Sequence, residues 1–264
     1  MTPSPLDAQA LTAALTGTGW RRVDVVAETG STNADLLARA AAGEDIAGTV
    51  LLAEDQLAGR GRNGRAWSAV PGTQILMSLG VPTIGVPAAA WGWLPLATGL
   101  AVVDAVARCS AVRAGLKWPN DVLVDGCKLA GILAEVAVGP ADPVVVVGVG
   151  LNVSQRAEEL PQEAAATSLA VLGTAPPRAE LAAVLLEELD RRLAQWRAGP
   201  AAELAADYRA AGVTVGSRVR ALQPGDNEVL GEAVAVDDQG RLVIDTEAGP
   251  VAVSAGDIVH LRPL

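Results

Sequence analysis

Gly59-Arg60-Gly61-Arg62-Asn63-Gly64-Arg65-Ala66-Trp67-Ser68 is the stretch on which the fold turns. Its opening residues match the GxGxxG spacing of a dinucleotide-binding turn. That turn needs a helix directly after the glycines and an acidic residue about twenty positions on, to hold a ribose hydroxyl. Here Arg65-Ala66-Trp67-Ser68 follows, and no acid stands near 79–81. Gly148-Val149-Gly150-Leu151-Asn152 starts in a similar way but lacks the third glycine, and no GxxxxGK[ST] occurs in the chain. Both common nucleotide folds are set aside. What remains is permissive backbone carrying three guanidinium groups, Arg60, Arg62 and Arg65. Glycines leave amides accessible, and arginines fork onto phosphate oxygens. Such a loop can close over a triphosphate and a carboxylate and keep water from a reactive mixed anhydride. An exposed basic loop that touches nucleic acid fits the same residues. Trp67 reads either as a flat platform for a purine or as a core anchor.

Working outward, the polar loop 56–72 lies between two apolar strands, 49–53 and 74–81. Upstream, 6–15 has helical spacing and stops at Gly17 and Gly19, and 20–27 reads as a strand. Thr32 with Asp35 three residues on resembles a capping box for a helix through Ala42. Downstream, 88–112 is mainly helical with a break near Pro95. Pro119 forces Trp118 out of helical conformation, so 117–121 reads as an extended loop. Residues 122–124 and 128–138 form a hairpin around Asp125-Gly126. A fully apolar strand covers 144–149, and Gly150-Leu151-Asn152 closes it. After Pro176-Pro177, Leu181, Leu185, Leu189, Leu193 and Trp196 mark one face of a long helix, and a second helix covers about 201–211.

Beyond Gly212 the pattern changes to short β runs at 218–222, 231–236, 241–245, 250–253 and 258–261. Turns at Gln223-Pro224-Gly225-Asp226 and Asp238-Gln239-Gly240 separate them. The expected architecture is a mixed α/β (α+β) catalytic domain over 1–212, with a central mixed β-sheet flanked by helices. A small SH3-like β-barrel over 213–264 completes it.

Composition narrows the function. The chain of 264 residues is half hydrophobic and carries a net charge of −10. That charge argues against a general nucleic-acid or anionic-membrane binder. No charged residue occurs from 66 to 103, and 86–103 has the hydropathy of a membrane span. Its prolines and glycines, and the absence of basic flanks, favour a buried strand followed by a buried helix. Cys109 and Cys127 form no CxxC pair, and His260 is the single histidine, so neither a zinc site nor a disulfide scaffold is expected. The first seven residues lack the basic and apolar regions of a secretion signal. A cytoplasmic protein is the expectation. Of twenty basic residues all but Lys117 and Lys128 are arginine. Two ammonium groups so close in sequence suggest a need for compact point charge that a planar guanidinium does not meet.

Five strings occur in order: Gly30-Ser31-Thr32-Asn33; Gln56 with Ala58-Gly59-Arg60-Gly61-Arg62 and Gly64-Arg65, then Trp67; Lys117-Trp118-Pro119-Asn120-Asp121; Lys128-Leu129-Ala130-Gly131-Ile132-Leu133; and Gly148-Val149-Gly150-Leu151-Asn152. Together they resemble the biotin protein ligase family, in its actinobacterial branch, from about residue 27 to the C-terminus. The resemblance implies a two-step ligase. Biotin and MgATP form biotinyl-5′-adenylate and pyrophosphate, and the adenylate then acylates one lysine of a biotin carboxyl carrier domain.

By matching positions, it implies that Ser31, Thr32, Asn33 and Gln56 hold the ureido ring and its surroundings. Gly59, Arg60, Gly61 and Arg62 belong to the loop that orders over the adenylate. Lys128, with the backbone at Gly131, meets the biotin carboxyl and the developing phosphate charge. Arg62, Arg65, Trp67, Lys117, Asn120 and Asn152 face ATP, with Trp67 and Asn152 at the adenine. Asp121 stands beside Mg2+ or the incoming amine. Arg60, Arg62, Lys117, Lys128 and Asp121 form the implied catalytic set.

Elementary chemistry agrees with that assignment. A neutral, polar ring wants hydroxyl and amide partners in a dry pocket. Attack of one anion on another needs fixed cations nearby. Family members that repress transcription carry a winged helix-turn-helix ahead of the Ser-Thr-Asn motif. Here thirty residues precede Ser31, so the resemblance implies the form without it. Asn63 also stands where other members often have a basic residue. A lipoate or octanoate ligase of the same fold is the nearest alternative, and a ligand-sensing regulator without catalysis is a more distant one. The oligomeric state is left open.

Overall fold

A computed structural model describes residues 4–138, 143–161, 165–199, 202–223, 227–254 and 256–260. The apolar, β-branched runs become strands β1 (Arg22–Val26), β2 (Thr49–Ala53), β3 (Gln74–Pro82), β4 (Gly115–Lys117), β5 (Asp121–Val124), β6 (Cys127–Ala137) and β7 (Val144–Asn152). They make one seven-stranded sheet in the order β1-β2-β3-β7-β6-β5-β4. The β1–β2 ladder is parallel and the others are antiparallel, so the sheet is mixed as expected.

Five helices flank it: α1 (Ala8–Ala14), α2 (Thr32–Ala41), α3 (Leu94–Cys109), α4 (Arg178–Arg197) and α5 (Ala202–Ala211). Strand side chains alternate between faces. Val50, Leu52, Ile75, Met77, Leu79 and Val81 therefore point together into the main core with α3 and α4. The leucine stripe of α4 and Trp196 are buried there. On the other face α2 covers one end of the sheet through Leu36, Ala40, Leu51 and Val146. Residues 88–109 have the length and composition of a membrane span, but α3 is a core helix packed against α4 and α5. Pro95 sits in its first turn, after a short 3₁₀ segment Ala88–Trp93, which accounts for the expected break.

Strands β8 (Arg218–Gln223), β9 (Asn227–Val236), β10 (Leu242–Thr246), β11 (Gly249–Val253) and β12 (Asp257–His260) form a second, antiparallel sheet in the SH3-like order β11-β10-β9-β8-β12. Its inward residues Val219, Ala233, Leu242, Ile244 and Ile258 join the same core as α3 and α4. Two indoles tie the sheets together. Trp93 Nε1 donates to the carbonyls of Asp237 and Asp238, each at 3.1 Å, and Trp118 Nε1 to that of Gly240 at 3.0 Å.

Several local expectations shift. The helix cap is Ser31, not Thr32: Ser31 Oγ accepts from the Ala34 amide, and Asp35 accepts from the Thr29 hydroxyl instead of completing a box. Residues 117–121 are not an extended loop but a tight turn between β4 and β5, with Lys117 paired to Asp121 in register and a cis Trp118–Pro119 peptide. The apolar run expected at 144–149 continues to Asn152 because β3 is long enough to pair with all of it. Asp125 and Gly126 both have positive φ, as a two-residue hairpin turn between β5 and β6 requires. Residues 224–226 of the expected turn at 223–226 lie outside the described residues.

Candidate active site

The uncovered part of the sheet carries small residues. On β7, Gly148, Gly150 and Asn152 share a face by alternation, and on β6 so do Gly131, Leu133 and Glu135. A cavity of about 890 Å³ opens over them, a size suited to a substrate larger than a metabolite fragment. The glycines make the room. A Cβ on Gly148 would run into the Asn33 amide oxygen, and one on Gly150 into the Trp67 indole. A Cβ on Gly131 would meet the same indole at 2.9 Å and Lys128 Cε at 3.0 Å.

One end of the cavity is polar and uncharged. Ser31, Thr32 and Asn33, at the start of α2, are each almost fully buried. Gln56 Oε1 accepts from the Thr32 amide at 2.8 Å and lies 3.0 Å from Thr32 Oγ1. Ser78 Oγ lies 2.6 Å from Asn33 Oδ1 and 2.7 Å from Thr32 Oγ1. Asn33 Nδ2 donates to Leu133 O at 3.2 Å and to Glu135 Oε2 at 2.9 Å.

The middle is cationic. The arginine loop is a small folded unit: Gly61 donates to Arg65 O at 2.7 Å, and Trp67 to Gly59 O at 2.8 Å. Its tip is a short 3₁₀ turn in which Asn63 and Gly64 take positive φ. Arg60 pairs with Glu135 at 2.6 Å, and Arg65 with Asp257 on β12. Arg62 donates to the neutral Asn120 Oδ1 at 3.0 Å. Burial pulls the Arg62 guanidinium below its ordinary pKa and Arg65 adds to this, while Asp257 and Asp121 oppose it. Arginine keeps its charge all the same, so Arg62 is a desolvated cation that an incoming anion would stabilise. Lys128 Nζ stands 2.7 Å from Asp121 Oδ1, an ion-pair distance without hydrogen-bond alignment, and 5.6 Å from the Trp67 ring centroid. Lys117 lines the same space.

Beside Lys128, Trp67 keeps a buried indole N–H with no hydrogen-bond partner among the described residues. Asn152 Oδ1 accepts from Gln74 and Gln155, and its Nδ2 donates to Thr167 O, each at 2.9 Å. One N–H of Asn152 stays available.

The structure thus gathers Ser31, Thr32, Asn33, Gln56, Arg60, Gly61, Arg62, Arg65, Trp67, Lys117, Asn120, Asp121, Lys128, Gly131 and Asn152 around one cavity. One expectation needs correction: Gly59 is not on the lining, and a Cβ there would strike Trp67 O at 2.6 Å. Asp121 lines the cavity against Lys128, and no group of three His, Cys, Asp or Glu able to hold a metal occurs among the described residues. A single carboxylate suits a magnesium ion that arrives on ATP, bound chiefly by phosphates and water. Sequence reasoning missed Ser78, Glu135 and Asp257. Ser78 is a lone hydroxyl in an apolar strand, and Glu135 follows Gly131 and Leu133 at strand period, so both carried a readable signal. Asp257 carried none.

Comparison with known proteins gives a consistent result. Residues 28–152 match the "Biotin/lipoate A/B protein ligase family" and 214–261 the "Biotin protein ligase C terminal domain". The chain is 58% identical to "Biotin--[acetyl-CoA-carboxylase] ligase" of Mycobacterium tuberculosis, over 98% of this chain and 97% of that one. It is 32% identical to "Bifunctional ligase/repressor BirA" of Escherichia coli, over 88% of this chain and 71% of that one. Among solved structures, "Biotin protein ligase from Aquifex aeolicus in complex with biotin and ATP" superposes with a TM-score of 0.79 at 27% identity, covering 92% of this chain and all of the other. With the mixed sheet, the SH3-like module and the cavity between them, these likenesses establish that the chain belongs to the biotin protein ligase family.

Proposed function

We infer that this chain is an ATP-dependent biotin protein ligase, and that its substrates occupy the cavity end to end. The observation that carries the reading is continuity. An uncharged hydrogen-bonding pocket, a group of cations and a flat indole line a single cavity. That combination suits a ureido ring, a carboxylate beside phosphates, and a purine.

In the first step a biotin carboxylate oxygen attacks the α-phosphorus of ATP. The bond to the pyrophosphate oxygen breaks, and biotinyl-5′-adenylate forms. Two anions must approach, so the step depends on fixed positive charge. Lys128 and Arg62 supply it beside the reacting carboxyl and phosphate, and Lys117 and Arg65 flank the outer phosphates. Arg60 and Gly61 close the loop against the acid. Trp67 and Asn152 hold adenine. Magnesium enters with ATP as part of the substrate, near Asp121 and Asn120.

In the second step an uncharged lysine amine of a biotin carboxyl carrier domain attacks the acyl carbon, and AMP leaves. Asp121, beside Lys128 on the cavity wall, is suited to accept the proton that the amine sheds. We further propose two units, a catalytic domain over 1–212 and a C-terminal module over 213–264, and a cytoplasmic location. The acidic balance supports a protein that engages neither nucleic acid nor membrane.

Transfer of labelled biotin to a carrier domain, with ATP omitted as the control, tests the function. Biotin-dependent exchange of labelled pyrophosphate into ATP tests the first step, and exchange with octanoate or lipoate at the same rate would favour the alternative acid.

A further inference from the structure

Three short oxygen contacts in the polar pocket ask for more protons than the pocket contains. Ser78 Oγ meets Asn33 Oδ1 and Thr32 Oγ1, and Thr32 Oγ1 meets Gln56 Oε1. Two hydroxyls supply two protons for these three contacts. Which contact goes without is decided by the orientation of Asn33, and Glu135 fixes that orientation. Asn33 Nδ2 faces two acceptors, the Leu133 carbonyl and the Glu135 carboxylate. Its Oδ1 must then face Ser78, and a carbonyl oxygen cannot donate, so Ser78 donates to it. Ser78 then has no proton left for Thr32, whose own hydroxyl donates to Gln56 Oε1 at 3.0 Å, and the Ser78–Thr32 contact carries none. With no proton arriving from Ser78, the lone pairs of Thr32 Oγ1 stay open as acceptors, while Gln56 Oε1 is already taken by the Thr32 amide and hydroxyl. The other oxygen of the same carboxylate holds Arg60 at 2.6 Å.

We propose that Glu135 is a positioning residue that sets the hydrogen-bond polarity of the acid-binding pocket and seats the arginine loop with the same carboxylate. The pocket wall at Thr32 accepts, so the ligand that fits presents an N–H donor there, as a cyclic urea does and a plain acyl chain does not. The assignment deepens the functional reading above and rests on it. It also gives the loop a means of registering the pocket: a misturned Asn33 would take one oxygen of Glu135 with it and loosen Arg60.

The test uses the full-length chain with Glu135→Gln and Ser78→Ala. A glutamine offers one acceptor to two donors, so either Asn33 or Arg60 loses its partner. The KM for biotin in pyrophosphate exchange should rise about tenfold in each variant, with matching changes in biotin affinity without ATP, while in Ser78→Ala, which leaves Arg60 paired, the KM for ATP stays within about twofold. The double variant should be no more than about twofold worse than either single one, because both break the same chain of protons. A merely structural role would lower Tm without this split. Should Glu135→Gln fail to fold, Ser78→Ala carries the same readout alone. Biotin KM within twofold of wild type in a folded variant, or multiplicative effects in the double variant, would overturn the assignment while the ligase reading stands. No biotin-dependent exchange by the wild type would overturn both.

Discussion

Lys128 is held from two sides, by the Asp121 carboxylate at 2.7 Å and by the face of Trp67, and so is not a solvated turn lysine. Its scarcity in an arginine-rich chain made it conspicuous in the sequence, and the structure adds the reason that position matters. A Lys128→Ala variant should stay folded yet lose on the order of 3 kcal/mol of transition-state stabilisation, about a hundredfold in the rate of adenylate formation. Lys128→Arg should not restore the full rate, since a planar fork does not fit a site shaped for a point charge. Adenylate formation by a folded Lys128→Ala chain within a few-fold of wild type would count against its role. Glycines were legible only in part. The string Gly148-Val149-Gly150 stood out, but its meaning is steric: its two glycines keep clear the seats of Asn33 and Trp67. A methyl group at Gly148 would displace the Asn33 amide. Gly148→Ala should therefore cost about 1–3 kcal/mol of overpacking and weaken biotin binding by about tenfold or more in titration calorimetry. An unchanged affinity would show that Asn33 can move aside freely.

At the level of elements, the regular pieces were legible because their signals are local: period-two strands, the leucine stripe of α4, the turn at Asp125-Gly126. The pieces that were misread depend on partners far along the chain. The 117–121 segment looked like a loop because a three-residue strand, β4, has too little pattern to announce itself before β5 pairs with it. The strand β12 belongs to the C-terminal sheet, yet Asp257 holds Arg65 and His260 reaches Thr214. Since the Trp118 amide donates to Thr214 Oγ1 at 3.0 Å, the threonine proton is free to go to His260 Nε2 at 3.3 Å. Burial, with the Lys117 ammonium nearby, holds the imidazole below its ordinary value near 6.5. Between that depressed value and 6.5 the unfolded chain binds more protons than the folded one, so stability falls as pH drops through the window. In His260→Gln the decline in Tm from about pH 7 to about pH 5.5 should be shallower than in wild type. Parallel slopes would mean that the histidine is not the group responsible.

The whole molecule is read best through its second sheet. Periodic short strands and turns made that sheet visible in the sequence. What could not be seen was how far it enters the site. Leu222, Asp257, Ile258 and Val259 line the cavity beside residues of the arginine loop, and Trp93 and Trp118, both buried, spend their indole donors on carbonyls of the 237–240 turn. Trp118 belongs to the turn that carries Lys117 and Asn120, so the module braces the cationic part of the cavity from behind while closing it from the side. Removing 213–264 would expose both indoles with their donors unpaired and uncover α3, at a cost of several kcal/mol from the two tryptophans alone. The shortened chain should melt at a markedly lower temperature and form adenylate at least a hundredfold more slowly. Because low stability alone could produce that loss, Asp257→Asn in the full-length chain separates the causes. It removes the charge partner of Arg65 and leaves the core intact, so Tm should hold within a few degrees while the KM for ATP changes several-fold. A truncated chain that stays folded and biotinylates its carrier at the full rate would instead make the module a detachable appendage, with Asp257 a bystander.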